Sequence, residues 1–504
     1  MPCTGLPTAG SGVGGGLGVW PVKTTLAQGK LGVAGLWVMA VVASSPLTVL
    51  AGGIPTMYAT TGVVGTPLAF VVVSVVLWVL GAAYAGASGH VRHAAPLYAL
   101  LARGFSPTVG IAGGAVALVG YQAIGTSLYG LLGATMAAMA GGPWWVWAGA
   151  AWCVVSGLCL LGGLASARVL GALLAFELVL IVCYVVAALA QRPGPLSFGS
   201  FAPSALVVPG MAGAVAFAMA ASVGVETVPA YAEEARGGAA AVRRAMLAAI
   251  GFTGPFYAVC AWAMAAHAGP QNLAQIGTDA AGGPLGTLER VFGPGVGLLA
   301  TMLLMTSVVA AMSSFHAAGS RYVFAMAREG ILPGGLARVS RRGDGGTPMA
   351  ASLLQSALAG AVIACFAVRA ADPIVDMFTW LSTIGAVAIL TLLVVAAGAA
   401  YRFFATGQGT NDSVWARRVA PAAGCVLGGL LMVMMLSNLA SLLGLPPGSR
   451  RWWAIPLMVA ATAAAGVVWA GLVRLAAPQA YADAGRVVAD PVSSPVARLG
   501  KLVM

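Results

Sequence analysis

Two glutamates, Glu177 and Glu226, lie within long apolar stretches of the sequence and are the side chains best placed to do chemistry there. Glu177 is part of LLAFELVLIVCY, and Glu226 is the only charged residue between positions 206 and 230. A carboxylate among apolar residues is costly unless it is paired, hydrated or neutralised. A carboxyl group that is shielded from water can instead bind and release a proton near neutral pH. Both glutamates are therefore candidates for proton coupling or gating, and a fixed, hydrogen-bonded structural acid is the alternative for each.

Small residues and prolines interrupt the apolar sequence at two places. The first is ASSPLT at 43–48, followed by Gly52-Gly53 and Pro55, and the second is ASVG at 221–224, just before Glu226. Such residues let a helix open its backbone, which a membrane tolerates only where the backbone lines a cavity. The amides of Leu47, Thr48 and Val49 would then face a carboxylate at the start of a half-helix. An ordinary kinked helix is the alternative for the first interruption. The predicted binding residues are Ser44, Ser45, Pro46, Leu47, Thr48, Ala221, Ser222 and Gly224.

The composition excludes a soluble fold. Of the 504 residues, 60% are hydrophobic and 8% are charged, and the mean hydropathy is +0.94. Soluble domains carry about a quarter charged residues. The net charge of +12 does not indicate a nucleic-acid partner, because the basic residues lie in short gaps between apolar runs. No metal-ligand cluster, disulfide framework or catalytic nucleophile pattern is visible, so the sequence predicts no metal, no cofactor and no enzyme.

Twelve apolar runs are long enough to cross about 30 Å of hydrocarbon as helices, and we call them spans 1 to 12. An even number of spans places both termini on one side of the membrane. Most of the Lys and Arg residues then fall on that side, and the positive-inside rule predicts that both termini are cytoplasmic. The predicted spans are 34–58, 67–87, 109–139, 144–164, 168–190, 206–230, 245–268, 294–319, 348–369, 374–400, 421–443 and 452–475.

The two interruptions fall in span 1 and span 6, which are five spans apart. Broken helices in corresponding positions of two halves are typical of transporters with inverted repeats and a binding site at the midplane. The predicted fold is an all-α membrane protein with twelve transmembrane helices, in which two peripheral helices follow a core of 5+5 inverted repeats with helices 1 and 6 broken. The predicted parts are a disordered Gly-rich tail at 1–29, a transporter domain at 30–475 and a cytoplasmic tail at 476–504. Within the domain, the repeats cover about 30–190 and 206–401, and the peripheral helices about 421–475.

Three segments carry a resemblance to a known family. SVGVETVPAYAEEARG, residues 222–237, resembles the G-x-E and A-E-E motif of the amino acid–polyamine–organocation superfamily. RYVFAMAREGILP, residues 321–333, is similar to its loop after span 8, and Thr347-Pro348 fits the start of span 9. HAAPLYALLARGFSPTVG, residues 93–110, looks like a degraded copy of the segment between spans 2 and 3. The resemblance covers about residues 30–475.

The resemblance implies a ten-helix inverted-repeat core, two further helices and alternating access around a midplane site. It also implies that Glu177 faces the break in span 1, where relatives bind a coupling cation, with the hydroxyls of Ser313 and Ser314 close by. The family's usual glycines at that break are replaced here by Pro46-Leu47-Thr48, and its aromatic gate in span 6 by residues 220–223. These departures point to an altered or roomier pocket.

The expected function is proton-coupled uptake of amino acids across the cytoplasmic membrane by a lipid-embedded permease. Sodium is the alternative coupling ion, because its site would consist of carbonyls and hydroxyls that no motif reveals. An exchanger, or a permease for amines or polyamines, is the alternative within the same fold. A transport-dead nutrient sensor or a channel is the alternative from another class. Glu233 and Glu234, at the end of span 6, are interpreted as a solvated charge cluster or as a salt bridge of the cytoplasmic gate.

Overall fold

The computed structural model consists of helices joined by short connections. Within the part of the chain that it describes, the only β-type pairings are two isolated bridges, between Leu26 and Gly346 and between Leu31 and Ala235. Most of the predicted tail at 1–29 lies outside the described residues, as does the C-terminal part from 487 onwards. The described residues are 26, 29, 31–88, 90–91, 93–160, 167–276, 283–340, 346–409, 412–446 and 448–486.

Eleven helices among the described residues are long and apolar enough to cross a membrane, so the prediction of an all-helical integral membrane protein is confirmed. The predicted span 4 corresponds to an apolar helix of 17 residues, Trp144–Leu160, which is shorter than the usual crossing length of about 20 residues. The count of twelve spans therefore stays a prediction. The eleven helices are Val33–Thr61, Thr66–Ser88, Pro107–Ala140, Arg168–Ala190, Met211–Tyr231, Gly238–Ala268, Pro294–Arg328, Met349–Val368, Pro373–Ala405, Trp415–Ser437 and Arg451–Ala476.

Span 1 is broken at Ser45, as the sequence predicts. The helix Val33–Ser44 ends there because Ser45 adopts a left-handed conformation, with φ of 48°. The chain resumes as a short turn, Pro46–Thr48, since proline suits the first position of a helix but supplies no N–H to the preceding turn. A π-helical stretch at 49–53 then leads into the outer half, Ile54–Thr61.

Span 6 is broken as predicted but begins later than predicted. The expected start at 206 falls in a separate turn, Pro203–Leu206, because Gly210 with φ of 98° redirects the chain before the helix Met211–Ala221. Residues 222–224 leave the helical path, and the inner half continues as a 3₁₀ helix, Val225–Tyr231. Both predicted interruptions are therefore present in the backbone.

Span 1 lies at the centre of the bundle, where it packs against spans 5, 6, 7 and 8. Span 3 packs against spans 8, 10 and 12, and forms a wall beside them. Spans 11 and 12 bury a minority of their residues, but spans 5 and 9 do so as well, so the peripheral position of spans 11 and 12 stays a prediction. The inverted relation between spans 1–5 and spans 6–10 stays a prediction.

The two described ends of the chain meet at one end of the bundle, which we call the termini-bearing end. The amide of Leu31 donates to the carbonyl of Glu234, and the amide of Arg236 donates to the carbonyl of Leu31. From the other terminus, the short helix Pro478–Ala482 places the amide of Gly485 on the Glu329 carboxylate at 2.9 Å. The N-terminal end thus contacts the segment after span 6, and the C-terminal end contacts the residue after span 8.

Candidate functional site

Gly224 brings the two helix breaks into backbone contact. Its φ is 124°, which L-residues with a side chain rarely adopt, so the break itself requires glycine. A Cβ atom at this position would lie 2.7 Å from the carbonyl carbon and oxygen of Ala43 and 2.8 Å from the nitrogen of Ser44. The atoms that the Cβ would contact belong to the backbone, so they cannot move aside as a flexible side chain would. The two helix breaks therefore lie directly against each other at Gly224.

A chain of hydroxyl groups connects the break in span 1 to the acid in span 5. Glu177 is 3% exposed, and its Oε2 accepts a hydrogen bond from the Ser307 hydroxyl at 2.8 Å. The Ser307 Oγ lies 2.9 Å from the Ser45 Oγ, and the Ser45 Oγ lies 2.7 Å from the Thr48 Oγ1. Three spans thus contribute to one continuous network, and Glu177 faces the break as the resemblance implies.

The hydroxyl that contacts Glu177 differs from the expected ones. Ser313 and Ser314 lie about two helical turns further along span 8, where their hydroxyls donate to the carbonyls of Val309 and Ala310. Ser307 occupies the predicted position instead. The sequence contains several hydroxyl residues in this span, and only the rotation of the helix decides which one faces span 5.

The amides of span 1 are less available to a ligand than the sequence suggests. The amides of Thr48 and Val49 both donate to the carbonyl of Ser45, at 3.0 and 3.2 Å. Pro46 and Leu47 are buried. Ser44 is also committed, because its hydroxyl donates to the carbonyl of Val41 and lies 2.9 Å from the Tyr257 hydroxyl. Thr48 is only partly buried, in contrast to the buried residues Ser44 and Ser45 that precede it.

Glu226 lies in the inner half of span 6 with one carboxylate oxygen satisfied. Its Oε2 accepts the amide of Gly224 at 2.7 Å, while the buried Oε1 has no hydrogen-bond partner among the described residues. The neighbouring Ser222 hydroxyl is turned away, since it donates to the carbonyl of Ala218 at 2.7 Å. Ala221 contributes the last helical residue before the break. The Oε1 atom therefore remains available to a hydrogen-bonding group of a ligand.

Three buried tyrosines surround Glu226 within electrostatic reach: Tyr84, Tyr121 and Tyr322. The rings of Tyr121 and Tyr322 meet edge to face with centroids 5.5 Å apart. The Tyr322 hydroxyl accepts the amide of Leu97, which belongs to the loop helix Pro96–Gly104. Packing thus connects the acid at the break to a loop at the termini-bearing end.

Beyond Glu226, two buried ion pairs join the end of span 6 to the end of span 8. Glu233 forms two hydrogen bonds with Arg328, at 2.7 and 3.0 Å, and Glu234 accepts from Arg321 at 2.6 Å. The paired side chains are at most 12% exposed. These are salt bridges rather than a solvated cluster, and their partners come from span 8 rather than from the arginines that follow in sequence.

Glu329 anchors a second buried network beside these pairs. It contacts the Nε2 of His93 and accepts the Tyr98 hydroxyl at 2.5 Å and the Gly485 amide at 2.9 Å. Burial alone would raise the pKa of Glu329, but the interactions with His93, Tyr98 and the Gly485 amide hold it below its usual range. The carboxylate is therefore the form that the folded protein stabilises.

Replacing Glu329 with glutamine is expected to lower stability at neutral pH. An amide cannot accept all three donors, and leaving buried donors unpaired costs about 1 to 3 kcal/mol. Because folding depresses the pKa of Glu329, its contribution is present above the unfolded value of about 4.3 and disappears as the pH falls through the folded value. The difference in melting temperature between wild type and Glu329→Gln should thus be largest at pH 7 and shrink below pH 4. Glu289→Gln, at an exposed acid, is the control, and a pH-independent difference would contradict the assignment.

Comparisons with known proteins were consistent with this architecture. A family model described as amino acid permease matches residues 35–465. A solved structure of a mutant manganese transporter from Eremococcus coleocola superposes with a TM-score of 0.51 at 13% sequence identity, covering 89% of this chain and 94% of that one. At that identity the likeness concerns the fold alone.

Three curated relatives share part of the sequence. They are uncharacterized transporters of Mycobacterium bovis and of two strains of Mycobacterium tuberculosis, each 34% identical over 212 residues. The matched segment is 41% of this chain, and it spans about half the length of these relatives, or 45%. Their names describe transport without a substrate.

Proposed function

Because this chain belongs to the amino acid permease family, we propose that it takes up amino acids across the cytoplasmic membrane and couples their movement to protons. The substrate would bind where the breaks in spans 1 and 6 touch, with Gly224 and the turn after Ser45 forming its floor. The termini-bearing end would face the cytoplasm, since the loops there carry most of the Lys and Arg residues. The family membership and the helix breaks support this proposal.

The observation that supports proton coupling most is the connection through Ser307 between Glu177 and the break in span 1. The carboxylate is buried, it lies opposite Ser45, and a Ser307 hydroxyl connects the two. A change in the charge of Glu177 would therefore alter the hydrogen bonds of the residues that are proposed to bind substrate. A buried acid that contacted only its own helix would have no such effect.

Alternating access would require the ion pairs at the cytoplasmic side to separate. Glu233–Arg328 and Glu234–Arg321 join span 6 to span 8, so the release of substrate inward would break both. The tyrosines around Glu226 connect the same span to the loop helix Pro96–Gly104, and they would transmit the movement. Glu226, which is a buried acid in the same span, is the second candidate for a proton carrier.

An amine permease is the second candidate function, and a specific observation favours it. The Oε1 of Glu226 is buried and has no partner among the described residues, so a substrate ammonium group would find an acceptor there. An amine without a carboxylate would need this contact and would not need the turn after Ser45. An amino acid would use both.

The test is uptake of labelled amino acids and of their decarboxylated analogues into proteoliposomes, with an inward proton gradient applied or collapsed. We expect saturable accumulation of at least one amino acid that requires the gradient. Replacing sodium with potassium in the same assay should leave the accumulation unchanged.

Each other outcome favours a different function. Equal exchange with and without the gradient would indicate an exchanger, and strong competition by a decarboxylated analogue would indicate an amine permease. Unsaturable flux would indicate a channel. Failure to move any amino acid or amine under any gradient would overturn the proposal.

A further inference from the structure

The hydroxyl network between Glu177 and Thr48 has a direction that depends on the charge of Glu177. Its members are joined in sequence by distances of 2.8, 2.9 and 2.7 Å, from Glu177 through Ser307 and Ser45 to Thr48. Each hydroxyl carries one hydrogen, so it can donate to only one neighbour at a time, although it can accept from others. As long as every link is kept, the direction chosen at one end of the network therefore fixes the direction at the other end.

When Glu177 is ionised, it can only accept hydrogen bonds. Ser307 then donates to Glu177, Ser45 donates to Ser307, and Thr48 donates to Ser45. The hydroxyl hydrogen of Thr48 is then engaged in the hydrogen bond to Ser45, and only the lone pairs of the Thr48 oxygen remain for a ligand. A substrate carboxylate next to Thr48 would meet a lone pair instead of a donor.

When Glu177 binds a proton, the whole network can reverse. The carboxylic acid donates to Ser307, which donates to Ser45, which donates to Thr48. The three hydroxyls rotate and keep their own hydrogens, and the only proton gained is the one on Glu177. The hydrogen of Thr48 is then free to bind a substrate carboxylate, which matters because the amides of Thr48 and Val49 are already used by the Ser45 carbonyl.

In the part of the chain that the structure describes, Glu177 has no charged partner that would override this control. Among the described residues, span 7 provides the titratable group Tyr257, which interacts electrostatically with Glu177 and is uncharged at neutral pH. Span 1 and span 8 face it with the hydroxyls already named. Tyr257 is bonded to Ser44, which is outside the network.

We propose that the Thr48 hydroxyl is the substrate-carboxylate donor and that protonation of Glu177 makes it available through Ser307 and Ser45. This inference rests on the proposed function and names the residues that connect the proton to the amino acid. It explains why a carboxylate substrate and a proton would bind together: each favours the same direction of the network. An amine without a carboxylate would gain nothing from the reversal.

The test compares Ser307→Ala, Thr48→Val and Thr48→Ser with Thr306→Val, an isosteric change at the exposed neighbour of Ser307. The apparent KM for an amino acid is measured in proteoliposomes between pH 5.5 and 8. In wild type and Thr306→Val, we expect the KM to rise with pH as Glu177 ionises. In Ser307→Ala, the network is cut while Glu177 remains, so the KM should lose its pH dependence.

Thr48→Val should raise the KM for an amino acid about tenfold and flatten its pH profile, because the donor is removed. Thr48→Ser, which keeps the hydroxyl, should restore both. Wild-type pH dependence in Ser307→Ala, or an unchanged KM in Thr48→Val, would overturn the inference while leaving amino acid transport by the wild type intact. Wild-type protein that transports no amino acid would overturn the proposed function, and this inference with it.

Discussion

Replacement of Glu177 by glutamine is expected to abolish gradient-driven accumulation of substrate and to leave exchange measurable. Glutamine has nearly the same shape and can still accept the Ser307 hydrogen bond, so the packing of span 5 should persist. It cannot ionise, however, and it therefore cannot carry a proton through the cycle. Substrate bound by the mutant would cross without a proton and would only equilibrate.

The measurement is the internal substrate concentration in proteoliposomes with an inward proton gradient, alongside counterflow without a gradient. Wild type should accumulate substrate well above the external concentration, whereas Glu177→Gln should reach equality and no more. Glu289→Gln, which removes an exposed acid from a loop helix, is the matched control and should behave as wild type. Accumulation by Glu177→Gln at the wild-type level would indicate that Glu177 has a structural role.

The same assay on Glu226→Gln separates the two candidate acids. If Glu226 binds the substrate ammonium through its free Oε1, the mutation should weaken binding of every amine-containing substrate and leave coupling intact in the transport that remains. If Glu226 carries the proton instead, accumulation should fail in this mutant and persist in Glu177→Gln. The pair of mutants thus decides a question that the sequence leaves open.

The sequence predicts the structure best where a residue or a segment can adopt few conformations in a membrane. Eleven of the twelve predicted spans correspond to helices of crossing length among the described residues, because a helix satisfies its own backbone hydrogen bonds in lipid. Pro46 and Gly224 likewise mark the breaks, since one lacks an amide hydrogen and the other adopts a φ that side chains disfavour. Local stereochemistry decides these features.

Features that depend on helix rotation or on distant partners could not be predicted in the same way. Ser307 rather than Ser313 faces Glu177, although both are serines in the same apolar run, because the orientation of span 8 is set by packing. Arg321 and Arg328 pair with Glu234 and Glu233 across about 90 residues, whereas the arginines nearest in sequence do not. The tyrosines around Glu226 come from three different spans.

Replacement of Gly224 by alanine is expected to damage binding, transport and stability together. The added methyl group would meet the backbone of Ala43 and Ser44 at 2.7 to 2.8 Å, and the φ of 124° would become strained. Left-handed backbone costs about 1 to 2 kcal/mol for a residue with a Cβ, and overpacking adds about 1 to 3 kcal/mol. The two breaks would have to separate, and the amide that holds Glu226 would move with them.

Gly251→Ala is the matched control, since this glycine lies in the helix of span 7 with nothing within 4 Å of the added Cβ. It should retain wild-type behaviour, with a small gain from helix propensity. Thermal unfolding in detergent and substrate affinity on the folded fraction are the two measurements. A folded Gly224→Ala protein with reduced affinity would locate the substrate at the contact between the breaks. Wild-type affinity in that protein would indicate that the substrate binds elsewhere, because spans 1 and 6 form a single surface at the backbone contact of Gly224.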